Sequence, residues 1–353
     1  MLREASKLTG FRSATMYVIA GALRARASPI TLSVMNDFWP IIASVIGVFL
    51  VIGIGALCRH LRWLTAEADR TLANLTANVM LPAYFIHKFA ESHSLDSLTT
   101  AWQPPLVGFV FTVVGFAIAY GFARLFGPRI GLETDASQRA FALCAGICNY
   151  GYIPLPLAEQ FYPSAMIDLI LHNVGVDVAL WSVGLAIISG SGAGGWKRVF
   201  RSPPLWAVLF SIMLSRLGLT EQIPRPVMAA IGKLGACAIP LGLLLSGAII
   251  VDFLREDNWI AKPRVILAGI GLRQCVFPML MLCFGRWCIT GDNLQTVIAL
   301  QASMPAAVFP IVLARLYDRD TATALRVVLW TSLAGLVLIP TWLWIAMWWL
   351  GRS

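Results

Sequence analysis

The feature that most restricts this chain is a succession of ten apolar runs of about 18 to 25 residues, each bounded by charge, proline or glycine. They are Phe38–Cys58, Leu72–Phe89, Pro105–Phe126, Ala140–Phe161 and Met166–Ser189, then Pro204–Leu219, Val227–Val251, Val265–Cys288, Leu294–Leu316 and Leu325–Leu350. A run of this length crosses a bilayer as a helix, and in hydrocarbon the backbone polar groups are satisfied only inside helices or a closed barrel. The runs are continuous rather than alternating, which argues against barrel strands. Only 13% of the 353 residues are charged and 58% are hydrophobic, with a mean hydropathy of +0.75. A soluble domain would carry about 25% charge, so that class is excluded too. The expected fold is an all-α polytopic membrane protein with ten transmembrane helices and no separate soluble domain. Seven cysteines, at positions 58, 144, 148, 237, 275, 283 and 288, show neither CxxC nor metal-ligand spacing and read as small buried hydrophobes.

The net charge of +9 sorts by position. The loops after spans 1, 3, 5, 7 and 9 carry fifteen Lys and Arg, among them Arg62, Arg129, Lys197, Arg264 and Arg319. The alternate loops and the C-terminal tail carry five: Lys88, Arg216, Arg225, Arg286 and Arg352. By the positive-inside rule the fifteen face the cytoplasm, so residues 35 and 353 both lie outside. The charge therefore reads as topology, and no nucleic-acid partner is expected. Tryptophans at span ends, including Trp39, Trp348 and Trp349, suit an interfacial belt against lipid. Residues 1–34 conflict with this orientation, because they would carry Arg3, Lys7, Arg12, Arg24 and Arg26 outward. They read either as a basic presequence or surface helix, or as untranslated sequence ahead of a start at Met35; the second is preferred, since Met35 directly precedes span 1.

Gly190–Gly195, followed by Trp196, Lys197 and Arg198, marks a cytoplasmic linker over 190–203 between halves 35–189 and 204–353. Five spans per half is an odd number, so halves sharing a fold must be inverted repeats. Prolines fall at matching places. Pro82 in span 2 pairs with Pro240 in span 7. Asn149-Tyr150-Gly151-Tyr152-Ile153-Pro154-Leu155-Pro156 in span 4 pairs with Ser303-Met304-Pro305-Ala306-Ala307-Val308-Phe309-Pro310 in span 9. In both of these a polar residue precedes a proline by seven and a tyrosine follows, Tyr162 or Tyr317. Interrupted spans at corresponding places in inverted halves point to a transport site at mid-membrane.

Proline lacks an amide hydrogen and clashes with the carbonyl four residues back. Pro154 and Pro156 should release the carbonyls of Tyr150 and Tyr152, and Pro305 and Pro310 those of Gln301 and Ala306. The half-helices starting near Pro156 and Pro310 are expected to turn free amides and positive dipole ends toward a carboxylate. Asn149 adds a side-chain amide there, and Gly151 allows close approach.

These motifs, Asn149 to Pro156, Met304 to Tyr317 and Asn78-Val79-Met80-Leu81-Pro82, resemble those of the auxin efflux carrier family, over roughly residues 36 to 350. The resemblance implies two inverted five-helix repeats with broken crossover helices 4 and 9. It also implies a homodimer through helices 2 and 7 and an elevator-type motion of spans 3 to 5 and 8 to 10. By the same resemblance the crossover asparagine, here Asn149, contacts the substrate carboxylate; Tyr150, Gly151, Ser303 and Met304, which flank the two breaks, are the further candidates for the substrate site. The long loop of the plant carriers between spans 5 and 6 is absent, so the chain looks like the bacterial branch in the inner membrane, a permease for mono- or dicarboxylates such as malate or malonate.

Two charges sit inside spans, Asp177 in span 5 and Arg273 in span 8, where charge is rare and is paired or faces a cavity. Arg273 is expected to balance the anion, while Asp177 pairs with it or serves as a proton or cation site. Gln301 and Ser303 could ligate Na⁺, as in the similar bile-acid-type symporters, although span 9 holds no carboxylate. His172 and Asp177 share the His-x4-Asp spacing of lipid acyltransferases, but the pair points into span 5 rather than to a surface acceptor, so no enzymatic activity is expected. His60, His87 and His93 fall at span ends and read as solvated. With no phosphate loop or ATP-binding cassette, no cofactor is expected. One charge crossing 100 mV is worth about 2.3 kcal/mol, so an organic anion leaves a negative-inside cell downhill.

Overall fold

The computed structural model describes residues 29–91, 101–190, 200–256 and 260–351, apart from the side chains of residues 29–38, 253 and 256. Residues 1–28 of the expected extension, His93, linker residues 191–199 with Trp196, Lys197 and Arg198, and the tail at Arg352 and Ser353 lie outside the described residues. The chain divides into two compact units, Met1–Ala43 with Ser353, and Ser44–Arg352. The described part of the first, residues 29–43, is helical.

Among the described residues regular structure is helical, with a single isolated bridge between two extended backbone segments. The first half runs α1 (Pro29–His60), α2 (Ala66–Leu75), α3 (Leu81–Glu91), α4 (Gln103–Ile130), α5 (Asp135–Gly146), α6 (Pro154–Phe161), α7 (Met166–Ala179) and α8 (Leu185–Ser189). The second runs α9 (Pro203–Arg216), α10 (Arg225–Ala236), α11 (Ala238–Glu256), α12 (Pro263–Gly271), α13 (Phe277–Cys288), α14 (Asp292–Ser303), α15 (Phe309–Leu316) and α16 (Thr321–Trp349). Six helical stretches among the described residues are long and apolar enough to cross a membrane. They are Trp39–His60, Gln103–Ile130, Pro163–Ser189, Arg225–Asp252, Pro263–Cys288 and Thr321–Trp349, which coincide with expected spans 1, 3, 5, 7, 8 and 10.

The other four runs depart from a continuous span for local reasons. Run 2 is α2 and α3 joined by a π turn, Thr76–Met80; Pro82 has no amide and crowds the Asn78 carbonyl, and a widened turn relieves that. Run 6 is α9, whose 14 residues reach only about 21 Å. Runs 4 and 9 are each a helix, an extended break and a second short helix: α5 and α6, and α14 and α15. Two further π turns, Leu180–Gly184 and Leu272–Val276, fall just after Asp177 and around Arg273.

The buried core gathers Phe116 of α4, Phe141 of α5, Val176 of α7, Ile311 of α15 and Val328 of α16, so it encloses the two breaks. Small residues bring backbones together around it. A Cβ at Gly175 of α7 would lie 1.8 Å from the Pro105 carbonyl of α4, and one at Gly247 of α11 1.9 Å from the Ile52 carbonyl of α1. By contrast, α1 and α9 turn large apolar side chains outward, including Leu50, Leu57, Leu209 and Met213.

At one end of the bundle, arginines close the C-terminus of α8. Arg139 donates to the Ile187 carbonyl at 2.7 Å, and Arg319 to the carbonyls of Ile188 at 2.7 Å and Ser189 at 3.0 Å, where a helix dipole favours cations. Asp135 ties this group to α4, accepting from Arg139 Nε at 2.5 Å and also from Arg124, and the two guanidiniums hold its carboxyl below the usual carboxylate range. A carboxyl so shifted stabilises the fold above its unfolded value of about 3.9 and loses that effect as pH falls through the lower folded value. Asp135→Asn is therefore expected to cost less than about 1 kcal/mol at pH 7, because the group is partly solvated, and less still at pH 2. Thermal denaturation in detergent at both pH values checks this.

Candidate functional site

The two breaks cross. Cys148 and Ala306 form an antiparallel bridge flanked by two hydrogen bonds, Asn149 N to Pro305 O at 2.7 Å and Ala307 N to Ile147 O at 3.3 Å. Each break thus satisfies part of the other's backbone, which a lone interrupted helix at membrane depth could not do. Thr331 of α16 accepts the Ala306 amide at 3.2 Å while donating to its own helix.

Gln301 is the organising side chain. Fully buried in α14, it donates to the Tyr150 carbonyl and to Asn173 Oδ1 of α7, both at 3.1 Å, and accepts the Cys148 thiol at 3.1 Å. The Tyr150 carbonyl, expected free, is therefore occupied. The oxygen of Gln301 already faces Cys148, and the Ser303 hydroxyl donates to Ala299 O at 2.8 Å. Met304 is fully buried, and its amide bonds back to Gln301 O at 3.3 Å.

The half-helix starts differ from expectation. α6 begins at Pro154, just before Pro156, and both prolines lie in its first turn and lack amides. Its remaining donors are taken, Leu155 N by Gly151 O at 3.0 Å and Ile153 N by Asn149 Oδ1 at 3.4 Å. Free amides are found instead at the start of α15. Pro310 is its second residue, and the amides of Val308 and Phe309 have no acceptor among the described residues. Asn149 is buried to 7% exposure; with Oδ1 turned to Ile153, its Nδ2 donates to no group among the described residues. A Cβ at Gly151 would meet no atom within 4 Å, so the space above this residue is open rather than closely approached.

Asp177 and Arg273 do not form an ion pair, which corrects one of the two readings of Asp177. The Asp177 carboxylate accepts the Tyr150 hydroxyl at 2.6 Å, tying α7 to the crossover. Arg273 is 3% exposed, lies over Phe277 at 5.2 Å, and its Nε and Nη2 have no hydrogen-bond partner. Its neighbour Gln274 donates to the carbonyl of Thr331 at 3.0 Å, and Thr331 in turn holds the Ala306 amide, which sets this turn against the crossover from the α12–α13 side. A guanidinium buried without a carboxylate can be kept only where an anion or polar group meets it. Nor does His172 form a dyad with Asp177: both its ring nitrogens are buried without a partner.

A cleft of about 400 Å³ leads to Pro156 from the Glu91 end, lined by Tyr84, His87, Lys88, Glu91 and Glu159. Lys88 spans it, 2.7 Å from Glu159 of α6 and 3.0 Å from Glu91 of α3. Cys148, Asn173 and Thr331 were not anticipated as parts of this centre. The signal available was a polar or thiol residue inside an otherwise apolar run, which does not say what it faces.

Compared with known proteins, the chain matches the family model described as Membrane transport protein over residues 40–198 and 194–343. It is similar to an uncharacterized transporter of Methanothermobacter thermautotrophicus, at 25% identity over 304 residues, covering 85% of this chain and 96% of the relative. An uncharacterized transporter of Methanocaldococcus jannaschii is 21% identical over 313 residues, covering 85% and 97%.

Proposed function

Because the chain belongs to the membrane transport protein family, the auxin efflux carrier family its crossovers resemble, and is a multi-pass integral membrane protein, we propose that it is a secondary carrier of small organic anions. The substrates in this reading are mono- or dicarboxylates such as malate or malonate. The observation that carries it is the convergence of four unspent groups on one crossover: the Val308 and Phe309 amides, the Nδ2 of Asn149, and the unpaired guanidinium of Arg273. All are donors, two are helix-start amides, and one bears a full positive charge, which is the complement of a carboxylate. Tyr150, Gly151, Ser303 and Met304 form the walls in this reading, and Pro154, Pro156, Pro305 and Pro310 keep the helices open.

The proposed architecture is ten spans in two inverted five-helix repeats, 35–189 and 204–353, joined by the linker 190–203. The short and interrupted helices count among the ten. Spans 3 to 5 and 8 to 10 move in an elevator fashion against spans 1, 2, 6 and 7, with dimerisation through helices 2 and 7. Residues 35 and 353 lie outside the inner membrane of a bacterium, lipid covers the apolar faces of α1 and α9, and transport leans to efflux. The Lys88–Glu159 pair would have to part for α6 to move past α3.

Thermal-shift screening of the purified protein against organic acids, followed by exchange in proteoliposomes, tests the reading. It fails if no acid stabilises the protein or exchanges. Arg273→Gln is expected to reduce exchange of an accepted acid by at least about tenfold, since hydrogen bonds to charged groups are worth about 1.5–3 kcal/mol. Under the ion-pair alternative the double variant with Asp177→Asn would restore exchange, and we expect no such rescue.

A further inference from the structure

Asp177 is a carboxylate inside the stretch Pro163–Ser189, and its one hydrogen-bond partner among the described residues is the Tyr150 hydroxyl at 2.6 Å. No cationic side chain among the described residues is paired with it. The titratable groups that face it are the phenols of Tyr150 and Tyr152, both from the crossover. The start of α9 brings only Ser202 and Leu205, and α7 with its following π turn brings Val174, Val178 and Trp181; with Asp177 these line a narrow crevice. Ser202 directly follows Arg201, a charge that belongs on the cytoplasmic side by the positive-inside rule, so the crevice faces that side.

Two contacts connect Asp177 to the anion-binding elements. Through Tyr150 it holds the span 4 break, whose carbonyl is also gripped by Gln301 of α14. One turn further along the chain, Trp181 packs edge-on against Phe309 at 5.7 Å, at the residue whose free amide opens α15. A negative charge at this place opposes an anion at the start of α15, and a neutral carboxylic acid does not.

We propose that Asp177 is a proton-binding site that couples anion occupancy of the crossover to proton movement, so that one proton travels with each anion. The inference rests on the reading of the chain as an organic-anion carrier. In the step itself, a carboxylate oxygen of Asp177 takes a proton from hydronium in the crevice, leaving water and a neutral acid. The acid O–H then becomes a donor and the Tyr150 hydroxyl its acceptor, while the anion settles on the α15 amides. On the opposite side the anion leaves, and the same O–H bond breaks to return the proton to water.

The test uses the whole protein in proteoliposomes, with radiolabelled malate and malonate as probes and the membrane potential clamped at zero by potassium and valinomycin. One coupled proton and a gradient of one pH unit should sustain about tenfold accumulation in the wild type. Asp177→Asn, nearly isosteric, should still exchange probe for probe but show no accumulation above equilibrium. Accumulation by the variant equal to wild type, or wild-type accumulation indifferent to the pH gradient, overturns the proposal. A second readout needs no substrate: infrared difference spectra across a pH titration should contain a protonated-carboxyl band that Asp177→Asn lacks. Identical bands in both proteins overturn the proton site. If neither probe moves in the wild type while the band is present, the carrier reading fails for these acids and the proton site stands.

Discussion

Gln301→Leu is expected to be the most destabilising single substitution in the crossover. Leucine keeps roughly the volume and supplies no donor, so the Tyr150 carbonyl, Asn173 Oδ1 and the Cys148 thiol all lose their partner in one step. Interhelical hydrogen bonds in membrane proteins average about 0.6 kcal/mol, so three give roughly 2 kcal/mol. The Tyr150 carbonyl adds to this, because Pro154 bars it from the usual helical bond; a buried group left unsatisfied costs about 1–3 kcal/mol. A total on the order of 4 kcal/mol is expected, read as a large fall in Tm in detergent. A double-mutant cycle with Asn173→Ala separates the parts: the Gln301–Asn173 coupling should be well below the whole cost, since the larger share lies with backbone that no side-chain change at 173 touches. A loss in Gln301→Leu no larger than that in Asn173→Ala would contradict the central place given to Gln301.

The second large effect is on transport and not on folding. Asn149→Ala removes Oδ1 from Ile153 N, a cap-like bond at 3.4 Å worth at most about 1 kcal/mol, and leaves the Asn149 N to Pro305 O bond of the main chain intact. What it takes away from the proposed site is the Nδ2 donor, which no group among the described residues uses. A hydrogen bond to a carboxylate is worth about 1.5–3 kcal/mol, so exchange of an accepted acid should fall by between about tenfold and a hundredfold. Tm should move little. The thermal shift produced by that acid should shrink in parallel with exchange, because the lost contact belongs to binding. Wild-type exchange and binding by Asn149→Ala for every accepted acid would remove Asn149 from the site.

Much of this protein was legible before folding because a bilayer admits so few solutions. Length and continuity of apolar runs locate the spans, and six of them reappear as helices long enough to cross within a residue or a few of their expected limits. The prolines likewise located both breaks, since a missing amide and a ring clash act on the next turn whatever lies around it. The polar partners were not legible to the same degree. Asp177 and Arg273 stand out in sequence only as two opposite charges inside spans, and proximity in kind suggests pairing; in the fold Tyr150 reaches Asp177 first, while Arg273 lies over Phe277.

The sequence by itself therefore determined that the chain is helical and membrane-spanning, where it is interrupted, and which few residues carry charge into the interior. These follow from solvent and covalent geometry, which act locally. Only the tertiary structure decided which orphaned groups meet. It closes the start of α6 with its own prolines and Asn149, spends Gln301 on three partners, and leaves two amides free at α15. The reason is that hydrogen bonding at a crossing depends on the register and distance of segments some 150 residues apart, which no local rule along the chain encodes.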